Sequence, residues 1–323
     1  MTDEIVAVDI GGTHARFAVA TISRSKYVNL GEAVTLQTAD CASFEAAWKE
    51  FSRLRGGTLP RKVAIAVAGP VGEDDIRFTN NAWVIRPRLI GPQLGLDDIT
   101  IINDFEAVGH ALAQADERYF EHLCGPDTPF PVNGRTCILG PGTGLGVAHL
   151  WKQADQYHIQ ATEGGHMGFS PLDDVDDAIL ARLRRRHGRV SVERMVAGPA
   201  IVDIYEALAS LAGRRVTETD DKLIWALGLA RTDPLAAAAV DRFCLSLGAV
   251  AGDMALAQGA TAVVIAGGLG LRIKDCLIRS GFAERFVAKG RFESFMKAIP
   301  VKLITHPQAG LFGAAAAFAK EFG

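Results

Sequence analysis

A strand, a glycine-rich turn and a second strand occur together twice in this chain, and this repeat limits the fold more than any other feature. The first copy spans residues 5–20 and turns at Gly11-Gly12-Thr13; the second spans residues 136–150 and turns through residues 140–146. Alternating apolar residues on both sides of a short glycine turn are typical of β-hairpins. The repetition predicts two related α/β units.

Strand and helix patterns alternate between the two hairpins. Residues 62–68 and 99–102 are short apolar runs typical of buried strands. Residues 43–54, which open with a serine that can cap a helix, and residues 105–115 have helical apolar spacing. This alternation predicts an α/β lobe.

The chain becomes largely helical after the second hairpin. Helical spacing covers residues 175–186, 199–211 and 235–258, and a last strand pattern covers residues 262–266. A terminal helix is predicted over residues 310–322, and we expect it to pack on the first lobe. The second α/β unit is therefore predicted to carry helical insertions.

The length of 323 residues exceeds the size at which one hydrophobic core usually keeps growing. The hydrophobic share of 49% and the charged share of 22% are ordinary for globular proteins, so a large core can form. We expect two lobes that share one cleft: a small α/β domain of residues 1–109 with 306–323, and a large α/β domain of residues 110–305.

The charge distribution argues against a nucleic-acid partner. The formal net charge is -3, and basic residues are mostly interspersed with acidic ones, so no broad positive face is expected. One arginine cluster is the exception, and we interpret it as the solvated face of a helix. Its members are Arg182, Arg184, Arg185, Arg186 and Arg189.

No targeting segment is recognisable at the N-terminus, where the first strand begins without a basic segment or an apolar signal core. Asp241, Arg242 and Asp253 interrupt the apolar residues 235–256, so we expect no membrane-spanning segment. The five cysteines form no Cys-x-x-Cys pair, which predicts reduced thiols and no structural zinc knuckle. These features predict a cytoplasmic protein.

The first glycine turn has the composition of a phosphate-binding loop. Glycines let backbone N–H groups converge on an anion, and a threonine hydroxyl can add a donor, so Gly11, Gly12 and Thr13 are nucleotide-binding candidates. Asp9, at the end of the strand, can hold Mg²⁺ through water. Taken alone, the same residues fit an ordinary hairpin turn equally well.

The second turn strengthens the nucleotide interpretation, because two such hairpins can hold a phosphate chain between them. Its candidates are Gly142, Thr143 and Gly144. No Gly-Lys-Ser/Thr ends the loop, which excludes a Walker motif, and the glycine spacing before a strand excludes a dinucleotide fingerprint. A third pair, Gly267-Gly268, would let adenine or ribose approach the backbone.

Polar residues in three segments are candidates for binding a polyhydroxylated substrate. Asn103 and Asp104 follow an apolar strand, where side chains project into a cleft, although a helix cap is the alternative. Glu163 and His166 share a glycine loop and match sugar hydroxyls, while no second ligand at metal-like spacing supports zinc at His166. Glu193 by itself fits a surface residue at the start of a helix.

A series of ordered segments resembles the bacterial glucokinases of the hexokinase, actin and Hsp70 superfamily along essentially the whole chain. The segments are Asp9–Arg16, Thr79–Trp83, Ile102–Phe105, Gly142–Leu150, Glu163–His166, Val192–Arg194 and Ile265–Gly268. A neighbouring family of repressors and sugar kinases usually carries a cysteine-rich zinc motif shortly after the Glu-x-Gly-His element. Residues 169–173 contain no cysteine here, so the zinc-free branch fits better.

The resemblance implies a two-lobed, actin-like (ribonuclease H-like) ATPase fold and a role for each candidate. It implies that Asn103, Asp104, Glu163, His166 and Glu193 bind glucose, with Asp104 as the catalytic base. It further implies that the three glycine regions bind ATP with Mg²⁺, and that the protein is a homodimer.

Two details depart from the family pattern. Pro141 stiffens the second loop, and Asn81-Ala82 occupies a variable part of the stretch 79–83. That stretch, with Pro70, is a further candidate for a wall of the cleft.

The predicted activity is the ATP-dependent phosphorylation of glucose at its 6-hydroxyl, the entry step of glycolysis. One alternative is a kinase for another hexose or an amino sugar, because selectivity depends on the shape of the pocket around the 2-position. Another is a non-catalytic sugar-sensing regulator. A regulator would usually need an added DNA-binding unit, and we expect no room for one before the first strand.

Overall fold

The polypeptide forms two structural units, residues 1–116 with 306–323 and residues 117–305. The computed structural model describes residues 2–69, 71–72, 75–78 and 81–323. The domain boundary predicted after residue 109 falls inside a helix that runs to residue 114. The hydrogen bonds of that helix keep its residues together, so the observed division between the two units comes after the helix, at residue 116.

A six-stranded sheet with helices on both faces, together with a separate two-stranded sheet, makes up the first unit. Its elements are β1 (Asp3–Ile10), β2 (His14–Ile22), β3 (Val28–Leu30), β4 (Val34–Gln37), α1 (Phe44–Arg55), β5 (Lys62–Val67), β6 (Ile76–Arg77), β7 (Val84–Ile85), α2 (Pro87–Leu94), β8 (Asp98–Asn103), α3 (Asp104–Gln114) and α13 (Ala309–Phe322). The strand order is β3-β2-β1-β5-β8, with β4 also paired to β2. β1, β5 and β8 are parallel, whereas β2 is antiparallel to β1.

Alternation along β1 explains why helices cover both faces of this sheet. Ile5 and Ala7 are buried in the core that includes α13, whereas Val6 and Val8 are buried in the core that includes α1. α13 approaches α3 closely, because a Cβ atom at Gly313 would overlap the backbone of Ala107. The predicted hairpin, strands and helices of this unit are confirmed, and the terminal helix packs on the first lobe as expected.

The second unit repeats this sheet and adds helices. Its elements are β9 (Phe120–Cys124), β10 (Gly134–Pro141), β11 (Leu145–Gln153), β12 (Gln156–Thr162), α4 (Asp174–His187), α5 (Glu193–Val196), α6 (Ala200–Leu211), α7 (Asp221–Leu229), α8 (Pro234–Gln258), β13 (Ala262–Ile265), α9 (Gly267–Arg272), α10 (Lys274–Arg279), α11 (Phe282–Val287), α12 (Glu293–Lys297) and β14 (Val301–Ile304). The strand order is β12-β11-β10-β13-β14-β9. Apart from the edge strand β9, this order matches that of the first sheet. β12, β11 and β10 are antiparallel neighbours, and β13 and β14 then run parallel to β10. The predicted structural repeat is confirmed.

Helix α8 corrects the expectation that its charged residues make it too polar to span a membrane. Its 25 residues are long and apolar enough to cross a membrane by length and composition, despite the charges at three positions. However, 78% of its most apolar window is buried inside the unit, as in the core helix of a soluble protein. Gly248 and Gly252 allow this packing, because a Cβ atom at Gly248 would overlap the carbonyl oxygen of Phe282 and one at Gly252 would overlap that of Phe286, both in α11.

The arginine cluster on α4 is only partly a solvated face. Arg182 pairs with Glu206 and Arg186 pairs with Asp203, both on α6. Arg184 and Arg185 are exposed, as predicted. The ion pairs of this cluster therefore join α4 to α6 instead of leaving the helix face free.

Candidate functional site

The first glycine loop joins β1 to β2, and its carbonyl groups accept hydrogen bonds from residues outside the loop. Asn81 Nδ2 donates to Gly11 O at 3.5 Å, Thr38 Oγ1 donates to Gly12 O at 3.0 Å, and Thr38 N–H donates to Thr13 O at 3.0 Å. Within the part of the chain that the structure describes, the N–H groups of Gly12 and Thr13 donate to no acceptor. A loop whose carbonyls are bonded and whose amides are free is suited to an anion.

Sequence reasoning missed Thr38 and assigned Asn81 to a different role. Thr38 is 26 residues from Gly12, and no local pattern connects the two. Asn81 supports the loop, and its Oδ1 accepts from Trp83 N–H at 2.9 Å. Three other residues proposed for the wall of the cleft lie outside the described residues: Pro70, Thr79 and Asn80.

Asp9 lies between a cation and a helix terminus. Asp9 Oδ2 is 3.2 Å from Arg16 Nη1, its partner across the hairpin. A Cβ atom at Gly310 would be 2.6 Å from the same oxygen, so glycine lets the N-terminus of α13 approach the carboxylate. Burial raises the pKa of Asp9, while the Arg16 guanidinium opposes that rise. The positive end of α13 also favours the ionised form.

Asn103 and Asp104 occupy the junction of β8 and α3. Asn103 is the N-cap: its Oδ1 accepts from Phe105 N–H at 2.8 Å and from Glu106 N–H at 3.3 Å, and its Nδ2 donates to Gly69 O at 3.0 Å. The cap interpretation is therefore correct for Asn103. Asp104 is the first helical residue.

The carboxyl group of Asp104 has an unusual proton affinity for an aspartate. Burial, followed by the negative charge of Asp9, raises its pKa to about 6, although a hydrogen bond from Phe105 N–H acts in the opposite direction. Asp104 is therefore ionised at neutral pH and able to accept a proton near it.

The carboxylate of Asp9 supplies oxygen atoms, the ligand type that Mg²⁺ prefers, and its charge interacts with that of Asp104 within the first unit. Among the described residues no group of three or more His, Cys, Asp or Glu is assembled as a metal site.

The second glycine loop, between β10 and β11, is built in the same way as the first. Gly142 N–H donates to Gly144 O at 2.8 Å, and Gly198 N–H donates to Gly142 O at 2.7 Å. Thr143 is exposed, and in the described chain the N–H groups of Thr143 and Gly144 have no recorded acceptor. Sequence analysis did not identify Gly198, which is distant in sequence from the loop it supports.

The carboxylate of Glu193 holds the second loop. Glu193 Oε2 accepts from Leu145 N–H at 2.9 Å. A Cβ atom at Gly144 would be 2.6 Å from the same oxygen. Glu193 does begin helix α5, but its half-buried side chain contacts the loop, so the surface interpretation is wrong.

The third glycine region lies beside the second loop. Gly267 has a φ of 84°, a conformation that favours glycine, and a Cβ atom there would be 3.4 Å from Pro141 O. Ala266 N–H donates to Leu139 O at 2.8 Å, which fixes this approach. Gly267 and Gly268 are exposed at the start of α9. The structure thus brings together the second and third predicted nucleotide regions.

Glu163 and His166 lie on a short turn against the start of β11. Their side chains are exposed, with His166 Nε2 3.7 Å from Glu163 Oε2. Gly165 permits this position, because a Cβ atom there would overlap the carbonyl oxygen of Leu145. Leu145 therefore lies between this turn, which covers its carbonyl, and Glu193, which binds its N–H.

Backbone and side-chain bonds join the two segments that carry the sugar-binding candidates. Val192 N–H donates to Met167 O at 2.8 Å, and Arg189 Nη2 donates to His166 O at 2.7 Å. These bonds bring Glu193 close to the turn of residues 163–166. The three candidates of the second unit thus share one region, although 30 residues of sequence separate Glu163 from Glu193.

Comparisons with known proteins agree along the whole chain. The family model described as glucokinase matches residues 6–321. The glucokinase of Zymomonas mobilis is 55% identical over 319 residues, which are 99% of this chain and 98% of that protein.

Solved structures give the same result for the fold. A crystal structure of glucokinase from an Antarctic psychrotroph matches with a TM-score of 0.87 and 31% identity, covering 98% of this chain and 99% of that one. A ROK family glucokinase from Streptomyces griseus, solved in complex with glucose and AMPPNP, matches with a TM-score of 0.60 and 18% identity over 98% and 99% of the two chains, which supports the fold alone. The predicted actin-like fold is confirmed, whereas the cleft between the lobes stays a prediction.

Proposed function

The chain belongs to the glucokinase family and phosphorylates glucose with ATP, and from this premise we propose that Asp104 is the general base of the reaction. The carboxylate takes the proton of the 6-hydroxyl as that oxygen bonds to the γ-phosphorus, while the bond to the bridging oxygen breaks and ADP leaves. The observation that carries this role is the position of Asp104, which is the first residue of α3, directly after β8, with its half-buried carboxylate close enough to Asp9 for their charges to interact. These surroundings raise its pKa to about 6.

The free amides of the two glycine loops are the proposed phosphate-binding groups. They belong to Gly12 and Thr13 in the first unit and to Thr143 and Gly144 in the second. Gly11 and Gly142 form the turns that expose them, and Gly267-Gly268 is the proposed contact for the nucleoside. Fixed N–H donors stabilise charge on phosphoryl oxygens without reorganisation during the reaction.

Asp9 is the proposed magnesium-holding residue, acting through water. When bound, Mg²⁺ would neutralise charge on the phosphate oxygens. Arg16 and the N-terminus of α13 favour the ionised form of the Asp9 carboxylate, although burial acts against it and raises its pKa.

Glucose recognition is assigned to Asn103, Glu163, His166 and Glu193 together with Asp104. Glu193 Oε2 is occupied by Leu145 N–H, which leaves Oε1 for a sugar hydroxyl. The side chains of Glu163 and His166 are exposed and combine an acceptor with a group that can donate or accept. A sugar that lacks one of these hydroxyls would leave a polar group of the protein unpaired, so it would bind poorly.

The decisive experiment is the Asp104→Asn variant. We expect turnover to fall by roughly 10²–10⁴-fold, because the base is lost, while glucose affinity stays within a few-fold of wild type. ADP release measures the first quantity, and calorimetric glucose titration measures the second. Near wild-type turnover would remove Asp104 from this role.

The same ADP-release assay across glucose, mannose, fructose, glucosamine and N-acetylglucosamine defines substrate breadth. We expect glucose to have the highest kcat/KM. A higher value for another sugar would move the assignment to a kinase for that hexose or amino sugar.

Assembly and location complete the proposal. We propose that the two observed units are the small and the large domain, divided after residue 116, and that the protein works as a cytoplasmic homodimer without a nucleic-acid or membrane partner. The family resemblance supports the dimer, and the net charge of -3 supports the lack of a nucleic-acid partner. Light scattering after size exclusion measures the mass; a single-chain mass across the working concentration range would contradict the dimer.

A further inference from the structure

The sheet of the second unit has a cavity at the end opposite its glycine loop. The cavity has a volume of about 300 Å³ and lies between the first residues of β10 and the end of α8. We refer to it as the strand-end pocket. The residues that line it include Arg135, His149, Trp151, His158, Gln160 and Gln258.

Strand register explains why these side chains converge. Arg135 pairs with Trp151, which pairs with His158, and the next row on the same face contains His149 paired with Gln160. The Trp151 and His158 rings are stacked, with centroids 5.7 Å apart and planes 27° apart. The result is an aromatic surface with a guanidinium group beside it.

The charge of the strand-end pocket suits an anion. No acidic side chain lines it. Arg135 is exposed, and its guanidinium has no ion pair with any residue that the structure describes. Burial lowers the pKa of His149, so that its imidazole is neutral at neutral pH and can both donate and accept. The floor includes the buried residues Cys137 and Ala260.

We propose that the strand-end pocket binds a ring-bearing phosphate ester. The ring stacks on Trp151, the phosphate pairs with Arg135, and the glutamine amides bond to ring substituents. A volume of about 300 Å³ accommodates one ring with its phosphate. Both a sugar phosphate and a nucleoside monophosphate have this chemistry.

The strand-end pocket is separate from the proposed nucleotide site. Arg135 and Gly140 are five residues apart on β10, roughly 16 Å along an extended strand. A ligand on Arg135 therefore does not occupy the loop at Gly142–Gly144. Since β10 and β11 connect the two, a ligand in the pocket is placed to affect the loop through these strands.

Trp151 provides a specific reporter for the test. It is 47% exposed, whereas Trp48, Trp83 and Trp225 are at most 7% exposed. The full-length protein is first saturated with glucose and a non-hydrolysable ATP analogue, so that the reaction site is filled. Glucose 6-phosphate, AMP and inorganic phosphate are then titrated while tryptophan emission is recorded.

We expect saturable quenching by glucose 6-phosphate or by AMP at concentrations at least tenfold below those required with inorganic phosphate. A response to glucose 6-phosphate identifies a sugar phosphate site, and a response to AMP identifies a nucleotide site. The Trp151→Phe variant should lose the signal. The Arg135→Gln variant should weaken binding at least tenfold with kcat/KM for glucose unchanged, and Arg184→Gln, which changes an exposed arginine outside the pocket, should bind as wild type does.

Three outcomes would overturn the proposal. The first is no change in emission with any probe. The second is equal affinity in Arg135→Gln and wild type. The third is a tryptophan emission that changes with the concentration of the protein and not with that of the probe. This result would mean that a second copy of the chain covers the pocket.

Discussion

Asp104 has a proposed role in the reaction, and its ionisation lowers the stability of the folded protein. Desolvation of this half-buried group and the nearby charge of Asp9 raise its pKa to about 6 in the folded protein, against 3.8 for an ordinary aspartate. The folded protein therefore holds more protons than the unfolded chain between about pH 4 and pH 6. Stability falls as the pH rises through this interval and stays lower above it.

The Asp104→Asn variant should consequently be more stable than wild type at pH 7, by ~1–3 kcal/mol, because the amide does not ionise. The difference should disappear below about pH 4, where Asp104 is protonated in both states. Urea unfolding at pH 7 and pH 4 measures it. Equal stability of the two proteins at pH 7 would show that the folded pKa is not raised.

Activity provides a second measure of the same pKa. The kcat/KM of the wild-type enzyme should fall about tenfold per pH unit below pH 6, because only the ionised carboxylate accepts a proton. A plateau extending to pH 5 would place the pKa of the free enzyme lower than the structure does.

The second loop, at the scale of elements, depends on a contact between its glycine and a carboxylate. Gly144→Ala should push Glu193 off Leu145 N–H, because the new Cβ atom would lie 2.6 Å from Oε2. We expect KM to rise roughly tenfold for both ATP and glucose, since a misplaced supporting group affects both substrates.

Gly142→Ala is the matched control for this prediction. A Cβ atom at Gly142 meets only Gly144 O, at 4.0 Å, so the loop accommodates it. Steady-state kinetics with each substrate varied compare the two variants. Identical KM values in both would mean that Glu193 does not support the loop.

Both ends of the chain contribute to the first unit. Gly313 of α13 packs on Ala107 of α3 without room for a side chain. Gly313→Ala should destabilise the protein by ~2–4 kcal/mol, because the helices must move apart and lose packing. Gly57→Ala, whose Cβ atom would meet nothing within 4 Å, is the control. If chemical unfolding gives both variants the same stability, the tight packing of α13 is not required.

Local patterns determined much of this protein. The two hairpins, the strands and the long helices follow from apolar periodicity, which neighbouring residues encode, and the glycine loops follow from the clusters of glycine between paired strand patterns. The same patterns identified Asn103 as a possible cap, which is correct. The predicted site residues therefore came from short segments that can be interpreted without the fold.

Only the tertiary structure decided which distant groups meet. Thr38 supports the first loop, Gly198 supports the second, and Glu193 binds Leu145 instead of facing solvent. The raised pKa of Asp104 likewise requires burial and the nearby charge of Asp9. Burial, charge and hydrogen bonding depend on distances in space, and a periodic pattern in the sequence specifies only which residues are neighbours along one strand or helix.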